Sequence, residues 1–150
     1  MYPENVAMIS ILLKDLSVEH EIIHHELPII SARDADLYFD ASLSAPVLIL
    51  KTDKGYFALI KSMQDKSFDF EKIKSIVFCE QVFLASKKEV YEVTGHKIGS
   101  IPLIGLNLEY ILDSKLKKNY FVYGGTGNPN YTLKISVNHL ISVNNVVKFA

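Results

Sequence analysis

The 150-residue chain holds a single cysteine, Cys79. Without a second thiol, neither an intrachain disulfide framework nor a multi-cysteine metal site can form. Within "SIVFCEQVF" that cysteine reads as a small buried hydrophobe, and a reducing cytoplasm fits. Metal-ligand spacing is also missing among the histidines. His24 and His25 are adjacent, so on a strand they face opposite ways and cannot chelate one ion. His20, His96 and His139 show no ligand pattern, and no metal is expected. No apolar run approaches the ~18 residues of a membrane span, so no membrane is expected as a partner. The start, "MYPENVAMISILLKDL", lacks a basic region and is broken by Lys14 and Asp15, so no signal peptide is expected. Charge of one sign is scarce as well. A net charge of -1 gives no bulk pull toward nucleic acid, and any phosphate contact must come from a local patch. Familiar catalytic signatures are missing too. There is no Gly-x-Ser-x-Gly elbow and no Ser-His-Asp order. Gly125-x-Gly127 has no third glycine at dinucleotide spacing, a strand follows it, and no Gly-Lys-Ser/Thr occurs, which excludes Rossmann and P-loop readings.

What is present argues for an ordered domain. Hydrophobic residues make up 49% and charged residues 22%, ordinary globular values that speak against disorder. Residues 1–150 read as one domain, long enough to bury roughly 68–70% of its unfolded surface. Ile9, Leu12, Leu13 and Leu16 recur at helical spacing over residues 4–17. "EIIHHEL" reads as a strand, and "SARDADLYF" as a short helix opened by Ser31 and Asp34 in capping-box spacing. "PVLILKT", "DKG" and "YFALIKS" read as strand, tight turn, strand. "DFEKIKSIV" follows as a helix, "QVFLAS" as a strand, and "KKEVYEVT" as a helix capped by Ser86 with Glu89 and closed by Gly95. "LEYILD", "NYFVYGG" and "YTLKISV" give three more strands, and "VNHLISV" a last helical turn or two. Interleaved short elements with some directly joined strands predict an α+β fold: a mixed, partly curled sheet surrounded by short helices.

Three stretches carry the functional signal. "TGHKIGSIPLIGL" packs three glycines and a proline among aliphatic residues. Glycine lets main chain approach a ligand, proline stiffens the loop, and outward N–H groups could cradle an oxyanion or phosphate. On composition alone, a buried crossover loop needing glycine only for packing is the favoured reading. "YGGTGNPN" reads as a hairpin turn using positive φ. Asp113 ends an apolar strand before the small basic patch "SKLKK"; it is either a site carboxylate or a turn-starting aspartate.

Together these pieces resemble the YbaK and prolyl-tRNA-synthetase-associated editing domain family over roughly residues 20 to 141. The parts run in family order: a strand with His25, the hairpin "APVLILKTDKGYFALI", "FLAS", a helix ending in "TG", the loop "GSIPLIG", the "ILD" strand, and a glycine turn before "TLKIS". The resemblance implies hydrolysis of the ester joining a wrong amino acid to a tRNA 3′ end, without metal or other cofactor, by a free-standing, cytoplasmic protein acting in trans. It implies Gly99, Ser100, Gly105 and Asp113 as catalytic residues, the glycines bringing backbone N–H groups to the substrate carbonyl. Pro46, Ile101, Pro102, Gly124 and Gly125 are taken with it as substrate-binding positions, and Lys61 as a neighbour that could stand in for the lysine missing at Pro46. With no evident general base, the tRNA terminal hydroxyl would assist the attacking water. Two departures stand out. Pro46 occupies the hairpin position where the family usually has lysine, and Leu103 the place of a second proline. Lys51, an odd number of residues on, points to the other face. Lys61 would share the face of position 46 if Asp53-Lys54 form a two-residue loop. A three-residue loop with left-handed Gly55 fits "DKG" better and turns Lys61 away. Loss of the lysine leaves an alternative: a catalytically degenerate editing fold that binds a tRNA end, nucleotide or amino acid.

Overall fold

The computed structural model describes residues 1–64 and 69–150, the side chain of Ala32 excepted. Its elements are α1 (Glu4–Asp15), β1 (His20–His24), α2 (Ala32–Ala35), β2 (Val47–Thr52), β3 (Gly55–Ile60), α3 (Phe70–Val77), β4 (Val82–Leu84), α4 (Lys87–Thr94), β5 (Glu109–Leu112), β6 (Phe121–Gly125), β7 (Tyr131–Ser136), α5 (Val137–Val143) and β8 (Lys148–Phe149). The mixed α+β architecture expected from the sequence is present, divided into two sheets. One is mixed, in the order β4-β2-β3-β5-β8; the other is antiparallel, in the order β1-β7-β6. A bridge between Ser44 and Tyr123, with the Ala45 N–H donating to the Tyr123 carbonyl at 2.8 Å, stitches the sheets together. The cleft described below opens at this seam.

The five-stranded sheet is buried on both faces, which is why its strands read as unbroken apolar runs rather than alternating ones. Val47, Ile49, Ala58 and Ile60 join the main core with Leu13, Leu103, Leu112, Leu133 and Leu140. Leu50, Phe57, Leu59 and Ile111 meet Ile73, Val77 and Cys79 on the opposite face. Cys79 is the buried hydrophobe the sequence indicated, and burial pushes its thiol pKa up. Helix α1 turns inward through Val6, Ile9 and Leu13, whereas Leu12 and Leu16 are exposed. The apolar spacing of 9, 12, 13 and 16 thus overstated the buried stripe. Strand β8, two residues long, carried too little pattern to be read from sequence.

Both capping boxes form. Asp34 accepts from the N–H groups of Ile30 (3.1 Å) and Ser31 (3.2 Å). Those donors, Ile30 first, hold its carboxyl below the usual carboxylate range. At the start of α4, Ser86 and Glu89 bond reciprocally. Glu89 also takes an ion pair from Lys51 at 2.7 Å and a hydrogen bond from the Tyr56 hydroxyl at 2.9 Å, tying α4 to the β2–β3 hairpin. Lys51 first, then the Ser86 N–H and the Tyr56 hydroxyl, lower the Glu89 pKa from 4.5 to about 2. A depressed carboxyl stabilises the fold above its unfolded pKa and loses that contribution as pH falls through the folded value. Glu89→Gln should therefore lower the urea midpoint at neutral pH, and the gap to wild type should close as pH falls from 4.5 to about 2. A gap that stays constant across that range would rule out the ion pair as its source.

The hairpin turn is the two-residue form, with Thr52 paired to Gly55 and Val47 to Ile60. Gly55 still takes the positive φ, 111°. Two tethers fix this turn. The Thr52 hydroxyl donates to the Gly55 carbonyl and accepts from the Lys54 N–H. The Asp53 carboxylate accepts from the Glu80 and Gln81 N–H groups, both at 2.9 Å.

Candidate functional site

A cleft of about 260 Å³ lies at the seam of the two sheets, and its wall is mostly apolar. Five segments contribute to it. The approach to α2 contributes Ile29 and Ile30, and the entry to β2 contributes Pro46, Val47 and Leu48. The glycine–proline loop contributes Gly99, Ser100 and Ile101; strand β6 and the turn after it contribute Tyr123, Gly124, Gly125 and Asn128. Thr132 on β7 completes the floor. Among the described residues that line it, none is Asp, Glu, Lys, Arg or His.

The double glycine explains how loop and strand meet. A Cβ on Gly125 would lie 2.2 Å from the Ile101 carbonyl oxygen, and one on Gly124 2.5 Å from Leu103 Cδ2. Loop 99–104 therefore rests directly on bare β6 backbone, pinned by the Leu103 N–H donating to the Gly125 carbonyl at 2.9 Å. Asn144 Nδ2 donates to the Leu103 carbonyl at 3.0 Å from the far side. Leu103, placed where the resemblance leads one to expect proline, is fully buried and packs on Gly124. Gly99 has a φ of 98° and faces the Ile30 carbonyl. The opposite wall is held by the Ile29 N–H donating to the Pro129 carbonyl at 2.8 Å.

The loop's donors are unequal. Ser100 directs both its N–H (3.2 Å) and its hydroxyl (3.3 Å) to the Lys97 carbonyl. Among the described residues, the N–H groups of Gly99 and Ile101 have no acceptor. Gly99 and Ile101 both line the cleft, so a proline-containing loop brings to an apolar wall two N–H groups that have no acceptor among the described residues, where competition from water is weakened.

The structure brings Pro46, Gly99, Ser100, Ile101, Gly124 and Gly125 to one cleft. It separates the others from it. Pro102 is buried behind the loop, where its carbonyl accepts from the Tyr110 hydroxyl at 3.5 Å. Gly105 lies in a different depression, beside Asn107 and Asn144. Asp113 is buried at the end of β5 and caps the short 3-10 helix Ser114–Lys118. Its carboxylate accepts from the Ser62 N–H (3.0 Å), the Lys115 N–H (3.1 Å) and Lys61 Nζ (3.4 Å). Asp113 is therefore the turn-starting residue, and Lys61 goes with it. The Lys61 N–H donates to the Pro46 carbonyl, so 46 lies opposite 61 as the two-residue loop requires. Even so, its ammonium sits on the α3 face with Leu59 and Ile73, drawn to Asp113, and the cleft wall keeps an uncharged Pro46. Ile29, Phe39, Asn128 and Thr132 were not singled out from sequence. They come together only through the pairing of β7 with β1 and β6 and the seam between the sheets. For Gly124 and Gly125 a signal did exist: glycines inside a strand pattern mark a close approach of another backbone.

Among the described residues, no cluster of three or more His, Cys, Asp or Glu could hold a metal, and no helix is long and apolar enough to cross a membrane.

The family model for the aminoacyl-tRNA editing domain matches residues 27–143, and the chain belongs to this family. The resemblance read from the loop, hairpin and strand motifs is borne out. The proline–tRNA ligase of Caldicellulosiruptor saccharolyticus is 29% identical over 116 residues, covering 76% of this chain and 19% of that protein. The Caldicellulosiruptor bescii proline–tRNA ligase is 30% identical over 100 residues, covering 65% of this chain and 17% of that protein. The chain thus spans about a fifth of the length of these curated relatives. Among solved structures, the hypothetical protein APE2540 superposes with a TM-score of 0.84 at 25% identity, over 94% of this chain and 96% of that one. A candidate trans-editing enzyme for prolyl tRNA synthetase shares the fold, with a TM-score of 0.83 at 19% identity over 100% and 97% of the two chains.

Proposed function

We propose that this protein hydrolyses the ester bond of mischarged aminoacyl-tRNA, acting in trans. The observation that carries the reading is that Gly99 and Ile101, on a loop resting on Gly124 and Gly125, line the cleft with N–H groups that have no acceptor among the described residues. Such donors suit the ester carbonyl as it becomes an oxyanion; losing one donor of this kind costs about 3–4 kcal/mol in a known protease. Water attacks the carbonyl carbon, the C–O bond to the ribose breaks, and a proton from the water passes to the departing ribose oxygen, which leaves as a hydroxyl. No carboxylate or imidazole lines the cleft among the described residues, which fits assistance by the neighbouring ribose hydroxyl. The apolar wall suits an apolar amino-acid side chain. A panel of mischarged tRNAs tests the reading: loss of ester faster than the buffer rate on at least one supports it, and none overturns it.

A second reading has its own observation. The wall is neutral at Pro46, and Lys61 is committed to Asp113, so the described residues put no cation in the cleft. That favours a fold that binds the aminoacyl end and turns it over slowly or not at all. A charge-assisted hydrogen bond contributes roughly 1.5–3 kcal/mol, or about one to two decades. Pro46→Lys is therefore expected to raise kcat/KM on a hydrolysed substrate by about tenfold to hundredfold. An unchanged rate would show that the cation is dispensable here.

A further inference from the structure

Beside the loop lies a hydroxyl whose polarity is set from behind. His25, buried just past β1, approaches the Leu27 carbonyl through Nδ1 at 2.8 Å and Thr132 Oγ1 through Nε2 at 3.0 Å. A carbonyl only accepts, so Nδ1 carries the proton. In the neutral imidazole Nε2 is then a bare acceptor. With the imidazole neutral, Thr132 gives its one proton to His25, and this cleft-lining residue keeps an oxygen that can only accept. The His25 ring packs against the Tyr38 ring at a tilt of 32°, centroids 4.8 Å apart, which holds this arrangement. Thr132 lies opposite Gly125 on adjacent strands, so both point to the same face. Over Gly125 projects the Ile101 carbonyl oxygen, 2.2 Å from where a Cβ would be, and it accepts no hydrogen bond among the described residues. Two acceptors thus flank the bare backbone of Gly125, next to the two N–H donors of Gly99 and Ile101.

We infer that Thr132 Oγ1 and the Ile101 carbonyl hold the α-ammonium of the aminoacyl group, with His25 the positioning residue that keeps Thr132 an acceptor. This rests on the reading of the cleft as the seat of an aminoacyl ester. The chemistry fits that group in particular. The carbon bearing the ammonium is bonded to the ester carbonyl carbon, so a ligand with its carbonyl on the loop donors presents three N–H donors close by. No carboxylate lines the cleft among the described residues, and a desolvated ammonium needs acceptors from somewhere. The Ile101 carbonyl can come this close to β6 only because Gly125 lacks a Cβ.

The test uses non-hydrolysable amide analogues of the tRNA end. They are 3′-alanylamino- and 3′-leucylamino-3′-deoxyadenosine, each paired with its acyl counterpart carrying hydrogen in place of the amine. Binding is measured by calorimetry, and deacylation of the mischarged panel runs in parallel. Wild type should bind the better amine analogue about tenfold to hundredfold more tightly than its partner. Thr132→Val should shrink that ratio below about threefold, Thr132→Ser should retain it, and His25→Phe should reduce it while keeping a ring on Tyr38. A merely structural Thr132 would weaken both analogues alike. An amine preference untouched by Thr132→Val, or no binding of either amine analogue, overturns the inference. If the panel is inert but the Thr132-dependent preference is present, the ammonium site stands and hydrolysis falls. If deacylation is robust but Thr132→Val leaves the preference intact, hydrolysis stands and the ammonium site falls.

Discussion

Gly125→Ala should eliminate ligand handling while leaving a folded protein. The φ of Gly125 is ordinary, so the backbone would accept alanine; the obstacle is space. The methyl group would sit 2.2 Å from the Ile101 carbonyl oxygen and 3.1 Å from its carbonyl carbon, both main-chain atoms that cannot rotate away. Loop 99–104 must then lift, stretching the Leu103 N–H bond to the Gly125 carbonyl. Overpacking of this kind costs about 1–3 kcal/mol of stability. Displacing positioned groups by about 1 Å costs about 10²-fold in rate. The informative control is Gly105→Ala. Gly105 has a φ of 89°, open space around its Cβ direction and a place outside the cleft. It should lose about 1–2 kcal/mol through backbone strain and keep its kcat/KM. Thermal unfolding and deacylation of the two variants separate the cases. Equal activity in both would mean that loop 99–101 does not form the site.

The contrast between these glycines shows what the sequence made legible. The cluster in "TGHKIGSIPLIGL" identifies a segment with unusual backbone needs, because glycine at such density is visible without coordinates. Which glycine serves the cleft is not visible. Gly99 and Gly105 both take positive φ, but one faces the Ile30 wall and the other faces away. Within "YGGTGNPN" the turn reading holds for Gly127, with a φ of 88°, while Gly124 and Gly125 belong to β6 and act through contact with another segment. Elements with strong local signals were readable: caps at Ser86 and Gly95, apolar runs for β2, β3 and β5, the strand containing His24. What depends on distant pairing was not. Thr132 meets His25 across 107 positions, and Asp53 in the hairpin turn reaches the Glu80 and Gln81 N–H groups across 27 and 28 positions. No local propensity encodes either contact.

Asp113→Ala should be the most destabilising of these single changes and leave activity per folded molecule intact. The carboxylate is buried and accepts from the Ser62 and Lys115 N–H groups while pairing with Lys61. Removing it leaves the Lys61 ammonium, itself about nine-tenths buried, without that counter-charge. Breaking a buried pair from one side costs about 3–5 kcal/mol. At about 2–4 °C per kcal/mol for a chain of this size, the melting temperature should fall by roughly 6–20 °C. Asp113→Asn, which keeps one acceptor oxygen, should fall less. Because a buried ion pair can often be exchanged for apolar side chains of similar volume at little cost, Asp113→Leu combined with Lys61→Met should recover part of the loss caused by Asp113→Ala. Recovery would be limited by the Ser62 and Lys115 N–H groups left without their acceptor. The measurements are thermal unfolding of all four proteins and kcat/KM well below each melting temperature. The reverse pattern, activity lost at an unchanged melting temperature in Asp113→Asn, would return Asp113 to the reacting centre. It would also require the short helix Ser114–Lys118 to move toward the cleft when substrate binds.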